Sequence, residues 1–204
     1  MTPKTLARII KVLLLSPLGY WIYLIAFDHL GADPAKTLNH LTGEIALYFL
    51  LTNLAIGVAL AFTKQRPKLL RALVLTRRFM GVWTFVILCG HVFLYLAYEG
   101  FEAKAFEQMI SKPYLIFGSL AFTMLGLLAA KSNDFSVRRL GGKDWKNLHR
   151  IVYVATIAVT AHVLSIEKTD LVKFGSLFVI LWVAQLARFV ISLRKPGKPL
   201  PTKP

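Results

Sequence analysis

His91, His149 and His162 lie in or at the edge of stretches with few ionisable residues, and each poses its own chemical problem. His91 stands inside "FVILCGHVFLYL" and His162 inside "IVYVATIAVTAHVLSIEK". An imidazole in hydrocarbon must satisfy both ring nitrogens, and ionisable groups in such segments are rare enough to be read first as functional. His91 falls thirteen residues past Arg78, and His162 twelve past Arg150, so at about 1.5 Å per residue the two rings reach nearly equal depth on helices running the same way. Two neutral imidazoles facing each other across a bundle are the axial pair a low-spin haem iron accepts. The plainer alternative is a pair of buried histidines hydrogen-bonded to neighbouring helices.

His149 closes "KDWKNLH", about 20 Å along the axis from His162 and level with Arg77 and Arg78. On an ideal helix it points about 140° away from His162, whereas Arg77 lies within about 40° of the face of His91. This second level offers one histidine and two arginines where a symmetric second haem would want two histidines. A kink that turns His149 into line, a differently ligated haem and an anionic-cofactor site all stay open. Guanidinium is a fixed fork of donors, so Arg77 and Arg78 could serve a haem propionate, a flavin phosphate or a quinone carbonyl, or act only as topological anchors. His29 and His40 are expected in the first external loop, where histidines are commonplace.

The elements that must hold these residues are helices in a membrane. The chain has 204 residues, 56% of them hydrophobic and 17% charged, with a mean hydropathy of +0.58, more apolar than one soluble core of this length requires. Six apolar runs, Ile9–Phe27, Ile45–Phe62, Phe79–Tyr98, Tyr114–Ala130, Ile151–Ile166 and Leu171–Ile191, approach the ~20 residues a spanning helix needs. Flanking residues can lengthen the shorter ones, with Pro113 in a first turn and Asp144 capping a helix that begins at Trp145. The expected fold is an all-α integral membrane protein, a six-transmembrane-helix bundle over residues 1–195, with a disordered tail over 196–204. No room is left for a soluble enzymatic domain.

Of 25 Lys and Arg, 20 fall in the N-terminal segment, the second and fourth connections and the tail. Both termini are therefore expected in the cytoplasm, and six spans satisfy that parity. The net charge of +15 is a topology signal that also suits anionic lipid headgroups, and it does not point to nucleic acid. The single cysteine, Cys89, excludes a disulfide framework or thiolate metal site and is expected to be a small packing residue. Asp28, Asp33, Glu99, Glu102, Glu107, Glu167 and Asp170 ring the opposite face, where they could steer a complementary partner. Two function classes follow: a membrane electron carrier, or a non-redox transporter or assembly factor with structural histidines.

The segments "LGADPAKTLNHLTG" (30–43), "LTRRFMGVWTFVILCGHVFLYL" (75–96), "KPYLIFG" (112–118) and "LGGKDWKNLHRIVYVATIAVTAHVL" (140–164) resemble the MsrQ (YedZ) family of the ferric-reductase-like transmembrane superfamily. The resemblance runs in order along nearly the whole chain. It implies a six-helix bacterial inner-membrane protein carrying haem b, one or two per chain, with FMN also associated. It further implies electron transfer from the quinone pool to MsrP, a periplasmic molybdenum-cofactor enzyme that reduces methionine sulfoxide and pairs with its membrane subunit. By position, His91, His149 and His162 match the family's haem-linked histidines, and Arg77 and Arg78 its arginine pair. Wider relatives carry two histidines on each of two helices. Here an arginine stands where the fourth would be. No residue set suggests that this chain reduces sulfoxide itself.

Overall fold

The computed structural model describes residues 1–194, so the tail expected over 196–204 lies outside it. Every regular element among the described residues is helical. α1 (Pro3–Leu13) and α2 (Ser16–Ala26) together make the first span. The expected run Ile9–Phe27 is thus broken. Pro17 has no N–H to give the carbonyl a turn earlier, and the chain crosses the gap through tighter bonds, Leu15 N–H to Val12 O and Leu18 N–H to Leu15 O, both 3.0 Å.

α3 (Pro34–Phe62) and α4 (Lys68–Tyr98) are much longer than the apolar runs inside them. Asp33 starts α3 by accepting the Lys36 N–H at 3.0 Å, and no breaker intervenes until Pro67. Apolar runs mark where hydrocarbon is crossed, whereas backbone hydrogen bonding carries a helix beyond them. Two expectations change as a result. His40 lies in the opening turns of α3 rather than in a loop, and Arg77 and Arg78 lie within α4 rather than in a connection.

A short amphipathic helix, α5 (Ala103–Ser111), precedes α6 (Pro113–Ala130), whose first turn holds Pro113 as expected. α7 (Asp134–Leu148) is kinked at Gly141, which adopts φ 76° and ψ 154°, a conformation that favours glycine. α8 (Ile151–Leu164) leaves α7 at 43°. A helix running on from Trp145 was expected; instead Trp145 lies inside α7, and the chain breaks at His149 and Arg150. α9 (Leu171–Arg194) completes the bundle. Five helices or end-to-end pairs could cross a membrane, and a sixth span forms if bent α7 and α8 count as one.

Two antiparallel pairs organise the packing, α3 along α4 and α6 along α8. α4 also meets α1 and α6, and α9 touches both α3 and α8. Leu50 and Leu54 of α3, Leu125 of α6, Ala155 of α8 and Leu181 of α9 form the central cluster, with Phe85 and Leu88 of α4 against it. In lipid such contacts stabilise through close packing rather than escape from water, so small residues at crossings matter. A Cβ on Gly126 would stand 2.9 Å from Phe85 Cζ. Val86, Phe93, Ile157, Val179 and Val183 are exposed on the outside, as lipid contact requires. Cys89 is also exposed, so it does not fill the packing role expected of it.

Candidate functional site

His91 and His162 are held by the same device on different helix pairs. His91 of α4 donates Nδ1–H to the Asn39 carbonyl of α3 at 2.9 Å, while the Asn39 amide donates to the His91 carbonyl at 2.7 Å. His162 of α8 donates Nδ1–H to the Tyr114 carbonyl of α6 at 2.7 Å. In each case the residue four further along the partner helix is glycine, and the ring lies against it. A Cβ on Gly43 would be 2.9 Å from His91 Cε1, and one on Gly118 would be 2.9 Å from His162 Nδ1. No side chain other than hydrogen leaves these rings in place.

A carbonyl only accepts, so the proton of each neutral imidazole sits on Nδ1 and Nε2 presents its lone pair. Neither Nε2 has a hydrogen-bond partner among the described residues. Metal-ligating histidines are set up this way, with the remote nitrogen tied to a backbone carbonyl that fixes tautomer and ring plane. Among the described residues no three His, Cys, Asp or Glu side chains gather into a many-ligand metal site. Two opposed single-nitrogen ligands are what a macrocycle-bound iron needs, since the ring supplies the other four.

A further side chain supports the fit. Tyr95 lies one helical turn beyond His91 on the same face of α4, and its buried hydroxyl has no hydrogen-bond partner. An orphaned phenol one turn from His91 suits a ligand edge that carries acceptors, as haem propionates do. One residue after Gly43, Glu44 accepts the Tyr48 hydroxyl at 2.5 Å and pairs with Lys173, tying α3 to α9 at this level.

The inner level is arranged differently. His149 caps the end of α7, donates Nδ1–H to Trp145 O at 2.9 Å and meets Ser132 Oγ through Nε2 at 3.1 Å, with the Trp145 ring 3.8 Å from its own. Both of its nitrogens are engaged. Arg78 turns to the surface, bonding Asp134 at 2.6 Å and the Ser132 carbonyl at 2.7 Å. Arg77 turns inward, where its Nε donates to Asn53 Oδ1 at 3.0 Å and the Asn53 amide donates back to the Arg77 carbonyl at 2.9 Å. The structure thus gathers His149 with Arg78 and separates both from Arg77.

Sequence reasoning missed Asn39, Gly43, Tyr114 and Gly118, which support the rings, and Asn53, which holds Arg77. A faint signal existed: residues 39 and 43, like 114 and 118, are four apart and so share a helix face. Which histidine each pair would meet is a fact of helix pairing alone.

A helical bundle with five or six candidate membrane spans, in which two histidines each rest on a carbonyl and a glycine of a partner helix, defines a class of membrane proteins. The family described as "Ferric reductase like transmembrane component" matches residues 42–160. The chain is 37% identical over 151 residues, 72% of its length and 73% of theirs, to the "Protein-methionine-sulfoxide reductase heme-binding subunit MsrQ" of Salmonella newport (strain SL254) and of Salmonella enteritidis PT4 (strain P125109). No solved structure matches. The chain belongs to the MsrQ family of ferric-reductase-like transmembrane proteins.

Proposed function

We propose that this chain is the membrane electron-transfer subunit of a methionine sulfoxide reductase system. In this reading it sits in the bacterial inner membrane with both termini cytoplasmic, takes electrons from the quinone pool and passes them to MsrP, the periplasmic molybdenum-cofactor subunit with which it pairs. Repair of oxidised periplasmic proteins is then the partner's chemistry. The observation that carries this reading is the repeated outer device: two imidazoles, each tied through Nδ1 to a carbonyl and seated on a glycine, each with Nε2 left as a lone pair.

His91 and His162 would hold a haem b between α4 and α8, and when bound the group supplies a one-electron couple. The chain's own residues do the rest. Asn39 and Tyr114 set the tautomers, Gly43 and Gly118 admit the rings, and Tyr95 offers a hydroxyl at the outer edge. His149, Arg77 and Arg78 belong to the inner level, where electrons would enter from a quinol or through FMN. Acidic residues on the external loops, among them Glu99, Glu102 and Glu167, give the outer level a charged rim for a partner.

Protein purified from haem-replete cells should be red, with a Soret band that shifts on reduction. In membranes, haem reduced by a quinol should reoxidise when MsrP and methionine sulfoxide are added together. Colourless, haem-free protein overturns the reading.

A further inference from the structure

The inner level holds a third arginine, Arg188. It falls inside the last apolar run, Leu171–Ile191, well within α9, and is half-buried. Its Nη1 donates to the Tyr153 hydroxyl of α8 at 2.8 Å and to Gln185 Oε1 at 3.3 Å. Gly57 of α3 brings it to Arg77. A Cβ there would lie 3.1 Å from Arg188 Nη1 and 3.6 Å from Arg77 Nη2, so two guanidiniums reach the same point across a buried glycine.

Two partly buried cations held this close inside a helical bundle repel each other, an arrangement that an anion between them would relieve. Among the described residues no carboxylate supplies one. The salt bridges among the described residues are Arg78–Asp134 and Lys173–Glu44, and neither involves Arg77 or Arg188. The segment beyond residue 194 contains no Asp or Glu, and only Asp134 and Asp144 lie on the cytoplasmic connections. Donors are also left over. Arg77 has only Nε engaged, by Asn53, and Arg188 only Nη1, so each keeps other N–H groups without partners among the described residues. The Tyr153 hydroxyl can add another, since it accepts from Arg188 and keeps its own proton to give.

We propose that Arg77 and Arg188, facing each other across Gly57 with Tyr153 between α8 and α9, form a binding site for a phosphate group. One guanidinium fork satisfies a carboxylate, whereas two forks and a phenol match the several unesterified oxygens and the negative charge of a phosphate group, monoester or diester. Arg78, spent on Asp134, takes no part. The site rests on the inner level alone, so failure of haem ligation at the outer level would leave it standing.

The test uses the full chain in phosphatidylcholine nanodiscs, titrated with FMN and with riboflavin, which lacks the phosphate. Phosphatidylglycerol retained on extraction from membranes is measured by native mass spectrometry, and haem content is read alongside. If the phosphate comes from a soluble ligand, FMN binds roughly tenfold or more tightly than riboflavin. That advantage should vanish in Arg77→Gln and Arg188→Gln and survive in part in Arg188→Lys. If it comes from lipid, wild type retains phosphatidylglycerol and both glutamine variants lose it. Either result supports the site. Equal behaviour of wild type and both variants towards both ligands, at equal haem content, overturns it. So does loss of haem from Arg188→Gln when wild type binds neither ligand, which would assign the guanidiniums to a propionate.

Discussion

The outer and inner levels of this bundle contain similar residue types and treat them oppositely. At the outer level each imidazole is neutral, carries one proton on the nitrogen facing a carbonyl, and keeps the other nitrogen free. At the inner level His149 has both nitrogens engaged, and it is two guanidiniums that keep donors in reserve. A lone pair aimed into a bundle suits a metal. A surplus of cationic N–H groups suits an anion. The difference lies in which side-chain atoms the neighbouring helix has already used.

The largest effect should separate the levels outright. His91→Ala or His162→Ala should remove nearly all haem, because each deletes an axial bond, while His149→Ala should leave the outer haem in place. Haem per chain by pyridine haemochrome measures this, and equal loss in all three would erase the distinction. Next come the glycines. Gly43→Ala or Gly118→Ala places a carbon 2.9 Å from a ring atom and must displace the imidazole, which should weaken haem retention by about 10- to 100-fold, as loss of a ligand's support commonly does. A haem titration of each variant with an undisturbed Soret band and affinity would show that the rings are free to stand elsewhere.

Tyr95→Phe gives a smaller effect whose sign carries the information. In haem-free protein it removes a buried orphaned hydroxyl and should stabilise, whereas in loaded protein it should destabilise by on the order of 1 kcal/mol if the phenol reaches a propionate. Melting curves with and without haem that move in the same direction would detach Tyr95 from the site. The smallest effect is at the surface. Asp134→Asn breaks the exposed pair with Arg78 and should leave both haem content and the melting curve unchanged within error. A clear loss of haem there would tie the Arg78 and His149 corner to cofactor binding after all.

Much of this was legible from residue order. The spans followed from runs of apolar residues, and the depth match of His91 and His162 followed from counting at a fixed helical rise. Their boundaries were not legible, because α3 and α4 continue as helix past the hydrocarbon, and this moved His40, Arg77 and Arg78 out of the connections. The break at Leu14 and Leu15 had a readable cause in Pro17. The bend beside His149 had none as clear, since Gly141 lies eight residues before it.

What the sequence determined by itself is one-dimensional: six apolar segments, their most consistent direction of insertion, and the height of each polar group along its own helix. These follow from helical rise and from the energetic cost of charge in hydrocarbon, neither of which depends on neighbours. Only the tertiary structure decided which helix lies beside which. That choice seated His91 on Gly43 and His162 on Gly118, sent Arg78 to Asp134, and brought Arg188 to the side of Arg77. Adjacent arginines on one helix point about 100° apart, so their partners are set by packing rather than by their place in the chain.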